Sequence, residues 1–234
     1  MMSEIEGKMM EKAGGGREVD KWERDDEHEG GYIIRHWDCH DTGEVIELRA
    51  LRGSPERVFV EYFRRWGGVG SEPDEVLELK DLKELNKWLA GKTHGQIKLT
   101  QEEFQEICNK ILDLEEAEKT GKGWIKSYDY ESLKEGEAGW INEITDEGIF
   151  LRAVVGEFPR HFEIDFYEDL REEYPTETVD IVTLEELNNY LFQKTKGRFS
   201  VTPSEWEEMQ KALQALEREW RRAQGYIYWG LRGV

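Results

Sequence analysis

The sequence predicts an α+β protein of two tandem homologous repeats, each a mainly antiparallel sheet with two helices in the order ββββαβαβ. The first observation behind this is a recurring octet. Leu82-Lys83-Glu84-Leu85-Asn86-Lys87-Trp88-Leu89 returns 102 positions later as Leu184-Glu185-Glu186-Leu187-Asn188-Asn189-Tyr190-Leu191. The second is that the match continues in order. Lys92-Thr93-His94-Gly95 faces Lys194-Thr195-Lys196-Gly197, and Ile97, Leu99 and Thr100 face Phe199, Val201 and Thr202. Glu103-Phe104 faces Glu205-Trp206, and Gly123-Trp124-Ile125 faces Gly225-Tyr226-Ile227. Upstream, Leu48-Arg49-Ala50 matches Leu151-Arg152-Ala153, and Val60-Glu61-Tyr62-Phe63 matches Ile164-Asp165-Phe166-Tyr167. Self-similarity at a fixed period marks a repeat architecture. The chain divides accordingly into a flexible acidic tail (1–30), repeat 1 (31–130), a linker (131–138) and repeat 2 (139–234).

The second repeat is read element by element. Gly139 to Thr145 and Gly148 to Val155 form a hairpin around Asp146-Glu147-Gly148, since Asp and Gly supply turn conformations between β-rich runs. His161 to Tyr167 alternates apolar and acidic side chains, as a strand with one wet and one buried face does. Thr178 to Val182 is a short fourth strand. Thr183 caps the helix Leu184 to Gln193, with Glu185 and Glu186 near the positive end of its dipole. Gly197 follows the helix end, where glycine takes the left-handed conformation without strain. Arg198 to Val201 reads as a strand, Thr202 as a cap, and Pro203 as the first helical residue, where its missing N–H costs nothing. The helix Pro203 to Ala223 stops before Gly225, and Tyr226 to Trp229 forms a last strand. Repeat 1 follows the same order, its hairpin turning at Asp41-Thr42-Gly43.

The long helices carry stripes at heptad spacing: Trp206, Met209, Leu213, Leu216 and Trp220, and Phe104, Ile107, Ile111 and Leu114. Two arrangements fit. The stripes could pair with each other across a pseudo-twofold, or each could cover its own sheet as part of a wider apolar face including Cys108 and Leu112.

Charge narrows the function. The 234 residues hold 52 acids and 32 bases, a net −20. The tail carries −5, repeat 1 −5, the linker −2 and repeat 2 −8, so no block is basic. This opposes unaided binding to nucleic acid or anionic lipid, which needs clustered Lys and Arg. No apolar run approaches the length that spans a bilayer. Cys39 and Cys108 are too few for a disulfide framework, and no secretory leader opens the chain. A cytoplasmic protein is expected.

Catalytic motifs are scarce. Gly67-Gly68-Val69-Gly70 leads into Ser71-Glu72-Pro73 rather than a helix, so it is no phosphate cradle. Ligand-type residues cluster at His36-Trp37-Asp38-Cys39-His40, with His28 upstream. In an extended strand His36 and His40 lie about 13 Å apart, too far to share an ion, and these are read as polar hairpin residues; no metal or cofactor is expected. Asn86 and Asn188 occupy equivalent helix positions, where an amide bond to a neighbouring loop is the simplest role.

What remains is aromatic side chains on an acidic scaffold. Gly-aromatic-Ile recurs at the predicted edges of the units, with Trp124, Trp140 and Tyr226 at its centre; these, and Tyr228 and Trp229 near the terminus above all, are candidate anchors for a protein partner, with ordinary core packing as the alternative. Gly197-Arg198-Phe199-Ser200-Val201-Thr202-Pro203-Ser204-Glu205-Trp206 resembles the last strand and helix start of the PC4-like transcriptional coactivators. That resemblance, about a dozen residues long, implies single-stranded DNA binding on a curved antiparallel sheet. Apart from it, the sheet aromatics Tyr62, Phe63, Phe166 and Tyr167, helped by Arg49, Arg64, Arg65 and Arg152, are the residues that would stack and hold a single strand. The extra helix Leu184 to Gln193 and the missing basic strands depart from that family. The expected function is a non-enzymatic interaction protein engaging a partner with a basic surface, with imitation of nucleic-acid charge as one way of doing so. Single-stranded nucleic-acid binding is the alternative, and an enzyme using carboxylates the third reading.

Overall fold

The computed structural model describes residues 21–67, 71–128, 137–156 and 161–230, with the backbone alone at 137 and 225–230. The architecture is α+β, with two antiparallel five-stranded sheets and, among the described residues, four α-helices. The first sheet runs β1 (Trp22–Arg24), β2 (Ile33–Cys39), β3 (Glu44–Leu51), β4 (Ser54–Phe63) and β5 (Glu75–Glu78) in chain order. Helices α1 (Leu82–Lys92) and α2 (Gln101–Thr120) follow. The second sheet, β6 (Trp124–Lys126), β7 (Glu137–Asn142), β8 (Glu147–Val154), β9 (His161–Tyr167) and β10 (Glu177–Ile181), is followed by α3 (Leu184–Lys194) and α4 (Pro203–Gly230). Each sheet is a meander whose strands all pair with their chain neighbours.

Alternation sorts the faces. In β4, Val58, Val60 and Tyr62 enter the helix-covered core, as Phe162, Ile164 and Phe166 do in β9. Side chains of opposite parity, Phe59 and Glu61 or Glu163 and Asp165, take the other face. A register shift between Ile33 and Arg35 lets both Ile34 and Trp37 reach the first core, which strict period-two pairing forbids.

The expected order ββββαβαβ becomes βββββαα in each half, and three local causes account for it. Residues 96–99 and 198–201 form no strand and join no sheet. Their backbone is held by the preceding helix instead: Asn86 bonds Leu99 N and O at 2.7 and 2.9 Å, and Asn188 bonds Val201 N and O at 2.6 and 3.0 Å. Trp124–Lys126, expected to close the first half, opens the second sheet by pairing with β7. Its counterpart 102 positions earlier, Trp22–Arg24, pairs with β2 inside the segment expected to be a flexible tail; residues 1–20 of that segment lie outside the described residues. Finally, Tyr226 to Trp229 is helical rather than a strand, because α4 runs on to Gly230. Helix α2 ends at Gly121, φ 68°, whose N–H bonds Ala117 O at 2.7 Å. The position equivalent to Gly121 is Ala223, which lacks glycine's freedom to turn left-handed, and Gly225 alone costs a helix only about 1 kcal/mol.

The heptad stripes do not pair across a pseudo-twofold. Phe104, Ile107, Ile111 and Leu114 pack into the first core, and Trp206, Met209 and Leu213 into the second. Side chains of the β7–β8 turn and the loop after β9 join the halves: Ile144 reaches the first core and Arg171 donates to His28 O at 2.8 Å. The backbones are close there too, since a Cβ on Gly31 would stand 2.6 Å from Thr145 O.

Repeated caps start the helices. Thr100 with Glu103 and Thr183 with Glu186 are full capping boxes. At α4, Glu205 accepts from Thr202 N at 2.8 Å and from Lys126 Nζ at 2.6 Å, tying the helix to β6. Burial works against the Glu205 carboxylate, but Lys126 and Thr202 outweigh it and hold the group down at about 2. A carboxylate depressed in the fold stabilises above its unfolded value near 4.5, and that contribution is lost as pH falls towards 2. Lys126 is 35% exposed, so screening reduces the contribution to about 2 kcal/mol. Urea midpoints of wild type and Glu205→Gln should therefore converge as pH is lowered from 5 to 2; a constant difference would refute the assignment.

Candidate functional site

The chemistry-bearing constellation lies on the face of the first sheet turned away from its helices. Pairing sets His36 of β2 opposite Glu47 of β3, and Glu47 opposite Glu61 of β4, so three titratable side chains form a row. The chain leaving β1 extends the row, because Asp25 N donates to His36 O at 3.1 Å. Asp25 then caps a single 3₁₀ turn, Asp26–His28, accepting from Glu27 N at 2.9 Å. With three residues per turn, side chains at i and i+3 eclipse, which lays His28 over Asp25 with Nδ1 2.7 Å from Oδ2.

The two histidines thereby meet. Their rings stack with centroids 4.8 Å apart and an interplanar angle of 23°, and Trp66 sets its edge against both at 5.0 and 5.2 Å. His36 is 1% exposed and Glu47 3%, and His36 Nδ1 lies 3.2 Å from Glu47 Oε1. Arg49 Nη1 is 3.5 Å from Glu61 and 3.9 Å from Glu47. Burial raises the Glu61 carboxyl, Arg49 draws it back, and Glu47 raises it again. At Asp25 burial acts in the same direction but is outweighed by His28 and the Glu27 N–H, leaving the carboxyl lowered. Three carboxylates thus surround two imidazoles and one guanidinium. On the second sheet the same positions hold Gly139, Phe150 and Asp165, and what persists is the arginine pair, Arg152 Nε to Asp165 at 2.7 Å.

Asp25 escapes sequence reasoning because it falls in the segment read as a tail, and the sequence marks His28 only as lying upstream of the His36–His40 cluster. His36 and His40 do not converge, as their spacing required. The pairs His28–Asp25 and His36–Glu47 depend on one 3₁₀ turn and one strand register, neither of which leaves a motif.

The predicted aromatic anchors are mostly core. Trp140 is 0% exposed, and Phe166, Trp124 and Tyr62 are buried in the helix-covered cores. Phe63 is buried on the opposite face of β4, and Tyr167 is half-buried, edge-on to Phe150 at 5.7 Å. The side chains of Tyr226, Tyr228 and Trp229 lie outside the described residues. The recurring Lys-Thr motif now has a packing reason. Lys92 Nζ sits 4.3 Å over Tyr62 and bonds Glu75 at 2.5 Å, while Lys194 Nζ sits 3.8 Å over Phe166 and bonds Glu177 at 2.7 Å. Each lysine lies between an aromatic face and a carboxylate. The aromatics that do stand out, Tyr174 at 72% and Phe192 at 65% exposure, were not singled out from the sequence; Glu172-Glu173-Tyr174-Pro175, an aromatic in an acidic loop signature, was the available signal.

No family model matches the chain, nor does any curated protein or solved structure. The stretch resembling the PC4-like coactivators lacks the strand that the likeness requires, since 198–202 forms no strand and joins no sheet. Among the described residues no helix is long and apolar enough to cross a membrane.

Proposed function

We propose that the chain is a non-enzymatic, acidic interaction protein built from two related α+β units, and that it engages a partner with a basic surface. The relatedness is supported by devices that recur at the same offset: the asparagine clamps at Asn86 and Asn188, the lysines over aromatics at Lys92 and Lys194, and Thr93 and Thr195 donating to Leu89 O and Leu191 O. The observation that carries the functional reading is the fate of the sheet-face arginines. Arg49 is matched by Glu61 and Glu47, and Arg152 by Asp165 and Glu163, so the two arginines on the open sheet faces are neutralised within their own sheets, while Arg64 and Arg65, at the end of β4, stay exposed. The aromatics that would stack bases, Tyr62, Phe63 and Phe166, are buried. Among the described residues, carboxylates face outward on loops such as Glu172-Glu173-Tyr174, all three exposed, in a chain of net charge −20.

A titration separates this from the alternative. Fluorescent poly-lysine should bind at about 50 mM salt and weaken steeply by about 200 mM, while a labelled single-stranded oligonucleotide should not bind at either. Glu172→Lys with Glu173→Lys should weaken the poly-lysine complex. Oligonucleotide binding at low salt, or poly-lysine binding indifferent to salt, would overturn the reading.

A further inference from the structure

The histidine pair on the first sheet has the composition of a metal site. One ring nitrogen of His28, one of His36 and a carboxylate oxygen of Asp25 lie within 4.8 Å of one another. A first-row metal at about 2.0–2.2 Å from N and O donors draws its ligands to roughly 3.3 Å apart; because an imidazole binds through a lone pair in its ring plane and the two rings are stacked at 23°, closure needs turns of the His28 side chain that aim its nitrogen at the ion. His28 can make them, its side chain being 41% exposed at the end of a 3₁₀ turn. Beneath it, His36 is fixed by its strand and by Glu47 on Nδ1. A carboxylate on the second nitrogen of a histidine is the usual outer partner of a metal ligand, fixing tautomer and ring orientation.

Charge argues the same way. Glu47 is buried at 3% exposure, yet one oxygen meets only an imidazole, and the other lies 3.9 Å from Arg49, which is shared with Glu61. A buried carboxylate is costly unless well paired. Asp25, Glu47 and Glu61 outnumber Arg49, the one arginine paired to them, while Arg171 beside His28 is bound to Asp169, and a divalent cation would balance the remaining negative charge. The donor set selects the ion: two imidazoles and a carboxylate suit Zn²⁺ and its first-row neighbours rather than Mg²⁺ or Ca²⁺, which prefer oxygen donors throughout.

We propose that Asp25, His28 and His36 form a three-ligand site for a divalent first-row transition ion, Zn²⁺ in particular, with Glu47 orienting His36 and one coordination position left open.

The test is calorimetric titration of ZnCl₂ into the full chain after treatment with a chelator, with Co²⁺ absorption as a second readout. One ion per chain is expected, with visible bands of low-coordinate cobalt. His28→Gln, at a partly exposed position that spares the core, should weaken binding at least tenfold. Glu47→Gln should weaken it by about 10- to 100-fold, the usual effect of losing an outer carboxylate. His161→Gln is the control, since His161, Glu163 and Asp180 form the other ligand-type group among the described residues, and it should bind as wild type does. No saturable binding at about 100 µM Zn²⁺ (a free energy near −5.5 kcal/mol), unchanged affinity in His28→Gln, or a loss confined to His161→Gln would each overturn the proposal.

Discussion

Trp140→Ala should destabilise the protein by about 4 kcal/mol, within the usual range for removing a buried tryptophan. Trp140 is fully buried in the second core, where Tyr128 meets its ring edge-on at 5.5 Å. Its truncation would open a large cavity beneath α4, and close-packed neighbours relax into such a space only in part. Trp140→Phe should behave differently. Among the described residues, the indole Nε1 is buried without a hydrogen-bond partner, a situation that costs about 1–3 kcal/mol. Phenylalanine removes that unmet donor together with part of the ring, so the two effects offset and a loss of only about 1 kcal/mol is expected. Urea unfolding followed by far-ultraviolet circular dichroism avoids the change in tryptophan fluorescence. An alanine effect below about 1 kcal/mol would return Trp140 to the surface, as a partner-binding anchor requires.

Trp140 also shows where the sequence stops being legible. Strand alternation announces that β7 and β9 have two different faces, but not which one a helix covers; the same aromatic pattern serves a binding platform or a core. Capping was readable because it is local: Thr183 and Glu186, or Thr202 and Glu205, act within one turn. The first strand was not readable, since Trp22–Arg24 is three residues long with one buried position and shows no period. Its pairing with β2 became visible only in three dimensions, and the Asp25–His28 turn that follows depends on it. The end of α4 turned on one side chain, Ala223 where the first half has Gly121. At 96–99 and 198–201 the strand that the pattern suggests does not form, and a side-chain amide takes the place of a neighbouring strand.

That substitution for a strand gives the second large effect. Asn188→Ala should cost about 3 kcal/mol, and Asn86→Ala a similar amount. Asn188 uses both ends of its amide, donating to Val201 O and accepting from Val201 N, as a neighbouring peptide would. Val201 is 2% exposed and Leu99 5%, so alanine leaves a buried N–H and C=O without partners, each worth about 1–3 kcal/mol. The damage should spread, because Val201 immediately precedes the Thr202 cap of α4. Asn188→Asp discriminates further: it keeps the acceptor for Val201 N but points a second carboxylate oxygen at Val201 O. It should be no more stable than Asn188→Ala at pH 7, and should recover as pH falls and the carboxyl gains a proton to donate. The exposed neighbour Asn189 is the control, and Asn189→Ala should change stability by less than about 0.5 kcal/mol. Because the clamps lie in separate cores, the double variant should lose roughly the sum of the single losses. Equal effects at Asn188 and Asn189 would show that the amide clamp does not hold this connection.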